Sequence, residues 1–303
     1  MNRLPRILLP AVLLLIAGTL SAQIGLRLEA ENTRYICFEP VTVKLTVANL
    51  SGNTLVFGGN DPAQQGRIYF SVEGGNGKQV RQIAKITNPA ADLKLGPGER
   101  REIKVVVNKY YNMQRDDFYT IRALLDHKRL PRTHISDPVR IEVHDGVPLL
   151  TKSIGLPTRN ATSVIKTIQL TLLRFTDTDE DIYSLRAEDE STVYAVFRLG
   201  SFIDGAAPQM ELDDSSLVHI LLQIRPRLYA YFIFGFEGRN MRLLQKRFYV
   251  SADGAPPTLS RATGYLRIIH GRYARPGVDY VEVPKDAPKP PKLPATPESK
   301  RIH

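Results

Sequence analysis

The chain has 303 residues, one cysteine, no tryptophan and a formal charge of +10, from 41 Lys and Arg against 31 Asp and Glu. A lone cysteine, Cys37, excludes an internal disulfide framework, so stability has to come from buried apolar surface, and the length suffices for two domains of ordinary size. Basic and acidic residues are interspersed, with no basic helix and no aromatic RNA-binding signature, so the charge does not specify nucleic acid, no specific nucleic-acid partner is expected, and a mild preference for anionic surfaces is left.

At the N-terminus, Arg3 and Arg6 precede an apolar run from Ile7 to Leu20 that ends in Ser21-Ala22-Gln23. A basic stretch, a short apolar stretch and a small residue before the cut are the parts of a bacterial-type secretory signal. Residues 1-22 are therefore expected to be removed, leaving a mature chain of about +8 once Arg3 and Arg6 are gone. Pro10 interrupts the run, which is shorter than the roughly 20 apolar residues of a membrane span. No later segment is long and apolar enough, so no transmembrane span is expected after cleavage. The expected location is the periplasm, the cell surface or the medium. Asn49-Leu50-Ser51 and Asn160-Ala161-Thr162 match the glycosylation sequon and are read as chance matches.

Residues 23-146 read as a first domain. In Val41-Thr42-Val43-Lys44-Leu45-Thr46-Val47 the apolar residues recur at every second position, the mark of a half-buried antiparallel strand. Further strands are expected at Leu26 to Ala30, Arg67 to Val72, Lys78 to Ile86, Ile103 to Val107, Phe118 to Leu124 and Val139 to Val143. Ser51-Gly52-Asn53, Gly74-Gly75-Asn76-Gly77 and Gly96-Pro97-Gly98 separate them as turns. This density of short strands predicts an immunoglobulin-like sandwich. Tyr119, at the start of the penultimate strand, is placed to close the preceding corner through a hydrogen bond to backbone.

The succession of Glu39-Pro40, Val43 to Asn49, Leu95-Gly96-Pro97-Gly98-Glu99 and Tyr119 to Ala123 resembles bacterial extracytoplasmic immunoglobulin-like domains, including those like the BsuPI proteinase inhibitor. The resemblance covers residues 23-146 and implies a fold used for adhesion, inhibition or spacing. No inhibitory residue is matched.

Gly146, Pro148, Gly155 and Pro157 mark residues 147-157 as a linker. Residues 158-282 then read as a second antiparallel β domain, a meander, sandwich or small barrel. Its strands are expected at Val164 to Phe175, Ile182 to Ala187, Thr192 to Leu199, Leu217 to Ile224, Leu228 to Phe236, Met241 to Val250, Leu266 to Ile269 and Val278 to Val283. In Leu228 to Phe234 both faces are apolar or aromatic, so this strand is covered on both sides or one side is an interface. Glu237-Gly238-Arg239-Asn240 reads as a hairpin loop. Residues 283-303, rich in proline and lysine, read as a disordered tail.

No nucleophile elbow, zinc-protease motif, phosphate loop or paired C-x-x-C occurs, and the six histidines fall at no ligand spacing. No catalytic, cofactor-binding or metal-ligating residue is assigned. Asp177 to Asp181 resembles the start of a calcium loop, but Ile182 replaces the required glycine, so an acidic hairpin is expected. His219 alternates with inward Val218, Ile220 and Leu222 and is read as a structural or surface histidine. Cys37 is read as a small buried apolar residue.

The all-β pattern, the signal and the missing catalytic motifs point to an exported, non-enzymatic binding or scaffolding protein of the cell envelope. Its partner would be an envelope protein or an anionic surface polymer. The alternatives are an enzyme whose site is assembled in the second domain, and a carbohydrate-binding module. The candidate partner-binding residues are Arg227, Tyr229 and Tyr231, because aromatic side chains with arginine are the composition of interface anchors.

Overall fold

The computed structural model describes residues 24–58, 66–157, 165–238, 240–262 and 265–281. The expected secretory signal at 1-22, the sequon at Asn160 and the expected tail at 283-303 lie outside the described residues. The chain divides into two compact units, Met1–Asp145 and Gly146–His303. Both are β structures, and among the described residues the one helical element is a 3-10 turn at Val107–Lys109.

In chain order the first unit holds β1 (Ile24–Ala30), β2 (Arg34–Ile36), β3 (Thr42–Asn49), β4 (Leu55–Phe57) and β5 (Gly66–Gly74). It continues with β6 (Leu93–Leu95), β7 (Arg100–Val106), β8 (Asp117–His127), β9 (His134–Ile135) and β10 (Val139–His144). One sheet has the order β1-β3-β7; the facing sheet has the order β2-β10-β8-β5, with β9 on β8 and β4-β6 as a separate pair. All pairings are antiparallel except β2 with β10. The alternation in β3 decides which side is core: Val43, Leu45 and Val47 are fully buried, with half-buried Lys44 and Thr46 between them. Each such burial contributes about 1.5–3 kcal/mol. The apolar residues of both sheets merge into one core, which makes this unit a two-sheet β-sandwich.

Two side chains fasten the loops of this unit. Tyr119, buried, donates its hydroxyl to the Arg115 carbonyl at 3.1 Å, closing the corner before β8. Asn49, at the end of β3, donates its amide to the carbonyls of Asn53, Leu95 and Gly96 at 2.8–3.0 Å, and its oxygen accepts from Ser51 N–H. The expected strand at Lys78 to Ile86 is not one. That segment makes single bridges from Gln79 to Glu73 and from Gln82 to Tyr111, because only Val80 and Ile86 reach the core while its other side chains stay exposed or polar.

The second unit starts with β11 (Val147–Pro157), β12 (Ile165–Asp177), β13 (Glu180–Glu188) and β14 (Val193–Ser201), forming a sheet in that order. It continues with β15 (Gln209–Leu212), β16 (Val218–Arg225), β17 (Leu228–Glu237), β18 (Asn240–Ser251), β19 (Thr258–Ala262), β20 (Tyr265–Ile269) and β21 (Gly271–Tyr273). Here the sheet order is β15-β16-β17-β18-β21, and β19-β20 form a separate hairpin. The two sheets close on a shared core that includes Leu170, Leu172 and Leu185 from one and Ile220, Phe232 and Phe234 from the other.

The linker expected at 147-157 is instead β11, paired with β12 from Val147↔Arg174 to Pro157↔Ile165. Leu149, Leu150 and Leu156 pack against the second unit's core, so burial of these side chains makes the segment a strand of that unit. Its prolines fit an edge: Pro148 stands at a register shift and Pro157 is the last residue, positions where a missing N–H costs no ladder bond. The strand expected at Val278 to Val283 is likewise not one over its described residues. Arg275 to Tyr280 form a turn in which Asp279 accepts from the Arg275 N–H and from the Arg272 guanidinium.

Candidate functional site: a tyrosine row on the five-stranded sheet

The faces of β17 separate by residue parity. Ala230, Phe232 and Phe234 enter the main core, while Tyr229, Tyr231 and Ile233 meet Leu221, Tyr249, Leu259 and Ile268 in a second cluster on the outer face. Leu259 and Ile268 belong to the β19-β20 hairpin, so β17 is covered on both sides. Strand register lines the outer face in rows: Gln223, Tyr229, Tyr249 and Tyr273 form one, and Leu221, Tyr231 and Arg247 the next.

The first row is most exposed at the sheet margin. Tyr249 is buried, whereas Tyr273, on the edge strand β21, is 55% exposed. Their rings lie 4.9 Å apart, and the Arg247 guanidinium sits 5.2 Å from the Tyr273 ring centre while donating to its hydroxyl. A hydrogen bond with Tyr249, with help from the Arg247 charge, holds the Tyr273 phenol below its ordinary pKa. Burial pushes Tyr249 up.

A buried polar line runs beneath the hairpin. His219 Nδ1 is 2.5 Å from the Tyr231 hydroxyl and His219 Nε2 is 3.0 Å from Asp213 Oδ2. A carboxylate only accepts, so Nε2 carries the proton facing Asp213; in the neutral ring Nδ1 then accepts from Tyr231. The other oxygen of Asp213 accepts from the N–H groups of Ser215 and Leu217, fixing the turn between β15 and β16. Burial of Asp213 opposes its charge, but the bonds from His219 and the two backbone groups outweigh it, leaving its pKa below the usual carboxylate value. Burial, followed by the nearby Asp213 charge, raises Tyr231.

The same turn anchors the hairpin. Arg261 donates to Asp214 at 2.8 Å and to the Leu212 carbonyl, and Gln209 bonds Leu259 N–H and the Pro257 carbonyl. Asp213, His219 and Tyr231 have the donor and acceptor types of a proton relay. The Tyr231 ring, however, is 7% exposed and packed under Tyr249, Leu259 and Ile268, so the line holds the turn and hairpin in place.

Of the residues singled out from sequence, Tyr229 and Tyr231 do share a face, but they differ in access. Tyr231 is inside the second cluster and does not reach a surface partner, because the β19-β20 hairpin lies over it. Tyr229 is half-buried with its hydroxyl 3.4 Å from Gln223 Oε1, and Arg227 is exposed in the β16-β17 turn at φ 63°. His219 faces opposite to Val218, Ile220 and Leu222, as its parity predicts. Cys37 is buried. In the acidic hairpin, Asp181 pairs with Arg174 and Asp177 with Arg198, so two of its carboxylates serve cross-strand ion pairs. Arg247, Tyr249 and Tyr273 were missed. Their alternation in Arg247-Phe248-Tyr249 was visible, but their alignment with Tyr229 depends on registers set by the hairpins.

The fold and site define a two-unit β protein whose second unit ends in an aromatic and arginine margin. No family model matches this chain, and no curated protein matches it. Among solved structures, that of Spo0M, a sporulation control protein from Bacillus subtilis, is similar at 12% identity. The match covers 58% of this chain and 90% of that one with a TM-score of 0.24, too low to carry an argument about fold or function.

Proposed function

We propose that this chain is an exported binding or scaffolding protein of the cell envelope, and that its second unit makes the partner contact through the margin beside Tyr229, Tyr273 and Arg247. The observation that carries the reading is the stack of Arg247 on Tyr273 at an exposed sheet edge, backed by buried Tyr249. A rigid aromatic with arginine beside it loses little entropy on contact and supplies much of the energy of protein interfaces. Export rests on the N-terminal pattern of Arg3, Arg6, the apolar run and Ala22.

Two measurements test it. Fractionation of cells making an epitope-tagged chain, with intact mass of the recovered product, is expected to place a protein starting near Gln23 outside the cytoplasm. A photo-crosslinking residue at position 273 is expected to capture an envelope component, while the same residue at exposed position 94 of the first unit is not. A full-length cytoplasmic product, or equal capture from both positions, overturns the reading.

A further inference from the structure

Charge is segregated within the second unit. Residues 146-224 hold six Lys and Arg against eleven Asp and Glu, whereas residues 225-281 hold ten against three, a surplus of +7 beside +10 for the whole chain. Part of the acidic half is neutralised at home. Asp177, Asp181, Glu188 and Asp189 pair with Arg198, Arg174, Arg186 and Lys166.

Part of the basic half gathers on one outward surface together with exposed apolar side chains. Arg242 lies opposite Gly235 and Arg247 opposite Tyr231, on the face of β18 that also carries Tyr249 with its edge neighbour Tyr273. Leu244, 52% exposed, is the residue at the bulge of β18. A Cβ built on Gly235 would come within 2.8 Å of it, which places Leu244 on this same face. On the hairpin, Leu259 and Ile268 turn toward the sheet. Exposed Arg267 and the 80% exposed Tyr265, at the alternate positions, turn away from it.

We propose that this surface, the outer face of β18 and β21 with the outward face of the β19-β20 hairpin, docks on an anionic phospholipid bilayer. Arg247 and Arg267, with Arg242 beside its ion-pair partner Glu237, are drawn to the negative potential of such a leaflet and lose that attraction within a Debye length. Leu244, Tyr265 and Tyr273 decide between a bilayer and a dissolved polyanion. A headgroup layer gives an apolar side chain and an amphipathic phenol somewhere to go, and a soluble phosphate polymer does not. A second copy of the chain, whose residues 146-224 carry five more acidic than basic side chains, is the competing occupant and is kept as an outcome of the test. The inference deepens the envelope reading by naming the partner. It depends on that reading only for access to a membrane, and vesicle binding is measured without export.

The test uses the mature chain, residues 23-303, with vesicles of phosphatidylcholine alone, vesicles also containing phosphatidylglycerol, and dissolved polyphosphate. Sedimentation is expected to show binding to the anionic vesicles and not to the neutral ones, weakening with salt. The pair R247Q and R267Q lowers that affinity about 25-fold, at about fivefold per cation. The pair K94Q and R101Q, which removes the same charge from the first unit, leaves it unchanged. A chain ending at Val281 keeps binding, which separates the surface from the basic tail. L244S with Y265S weakens vesicle binding and leaves polyphosphate binding intact. Circular dichroism checks that each variant folds. Equal binding to neutral vesicles, equal loss from K94Q and R101Q, or loss on removing the tail overturns the proposal. So does a vesicle affinity indifferent to L244S and Y265S, which would mark a soluble polyanion site, or sedimentation showing that R247Q and R267Q only dissociate a dimer.

Discussion

His219 and Tyr231 sit on neighbouring strands without being register partners: His219 lies opposite Ile233, Tyr231 opposite Leu221, and the 2.5 Å contact between them crosses the sheet diagonally. Diagonal neighbours are close enough for long side chains to meet. With Asp213 on the far side of the imidazole, three polar groups satisfy one another in a cluster otherwise made of Leu, Ile and Tyr.

Replacing His219 with alanine leaves the Asp213 carboxylate and the Tyr231 hydroxyl each short of a partner and opens a cavity. The expected loss is about 2–4 kcal/mol of stability, read from denaturant unfolding of the full chain. Tyr231→Phe removes one hydroxyl and is expected to cost about 1–2 kcal/mol. The double variant should cost less than the sum of the two, since both act on one network. Strict additivity would show that the pair is not energetically coupled.

Asn49 is fully buried, and its amide serves three carbonyls. Asn49→Asp turns that donor into an acceptor facing acceptors. It is expected to destabilise the first unit more than Asn49→Ala, which costs about 2–3 kcal/mol. Melting curves of the two variants decide the order; an aspartate variant at least as stable as the alanine variant contradicts the assigned amide orientation.

Gly58 has φ 105°, and a Cβ built on it would meet the Ala91 carbonyl oxygen at 1.6 Å. Backbone cannot yield as a side-chain tip does, so Gly58→Ala is expected to cost more than about 3 kcal/mol. Gly77→Ala, with φ 73° but open space around it, carries only the backbone strain and is expected to cost about 1–2 kcal/mol. Similar melting temperatures for the two would refute the steric account.

Stability is expected to decline at both ends of the pH scale. Asp126, Asp181 and Asp213 have folded pKa values below the ordinary carboxylate value: Thr133 and Thr176 are the main donors holding the first two down, and for Asp213 the bonds from His219 and backbone outweigh burial. Their contribution is complete above the unfolded carboxylate pKa of about 4 and is lost as pH falls below it toward the folded values. Burial raises Tyr111, Tyr183, Tyr231 and Tyr249. Their contribution is complete below the unfolded phenol pKa of about 10 and is lost as pH rises through the folded values. Urea midpoints across the range should trace this dome; a midpoint unchanged from pH 6 to pH 3 would sink the acid limb.

Because β11 pairs along its length with β12, limited proteolysis is expected to leave a resistant C-terminal fragment that starts at or before Gly146. Mass spectrometry of the fragment gives its first residue. A start after Pro157 would return the segment to the role of linker.

The sequence by itself determined the strands whose alternation is strong. Val43, Leu45 and Val47 have one face to bury, and a register slip of one residue would expose all of them. It also placed Tyr119 at its corner and put Tyr229 and Tyr231 on one face, since both follow from local parity. The tertiary structure decided the rest. Pro148, Gly155 and Pro157 made β11 look like a connector, and only an edge position beside β12, with Leu149, Leu150 and Leu156 half-buried against the core, makes those residues compatible with a strand. The fate of Tyr231 was decided by a hairpin nearly thirty residues further on, and the margin of Arg247 and Tyr273 by the pairing of β18 with β21. Parity says which residues share a face of one strand, but which strands lie side by side, and what covers them, follows from long-range burial that no local pattern encodes.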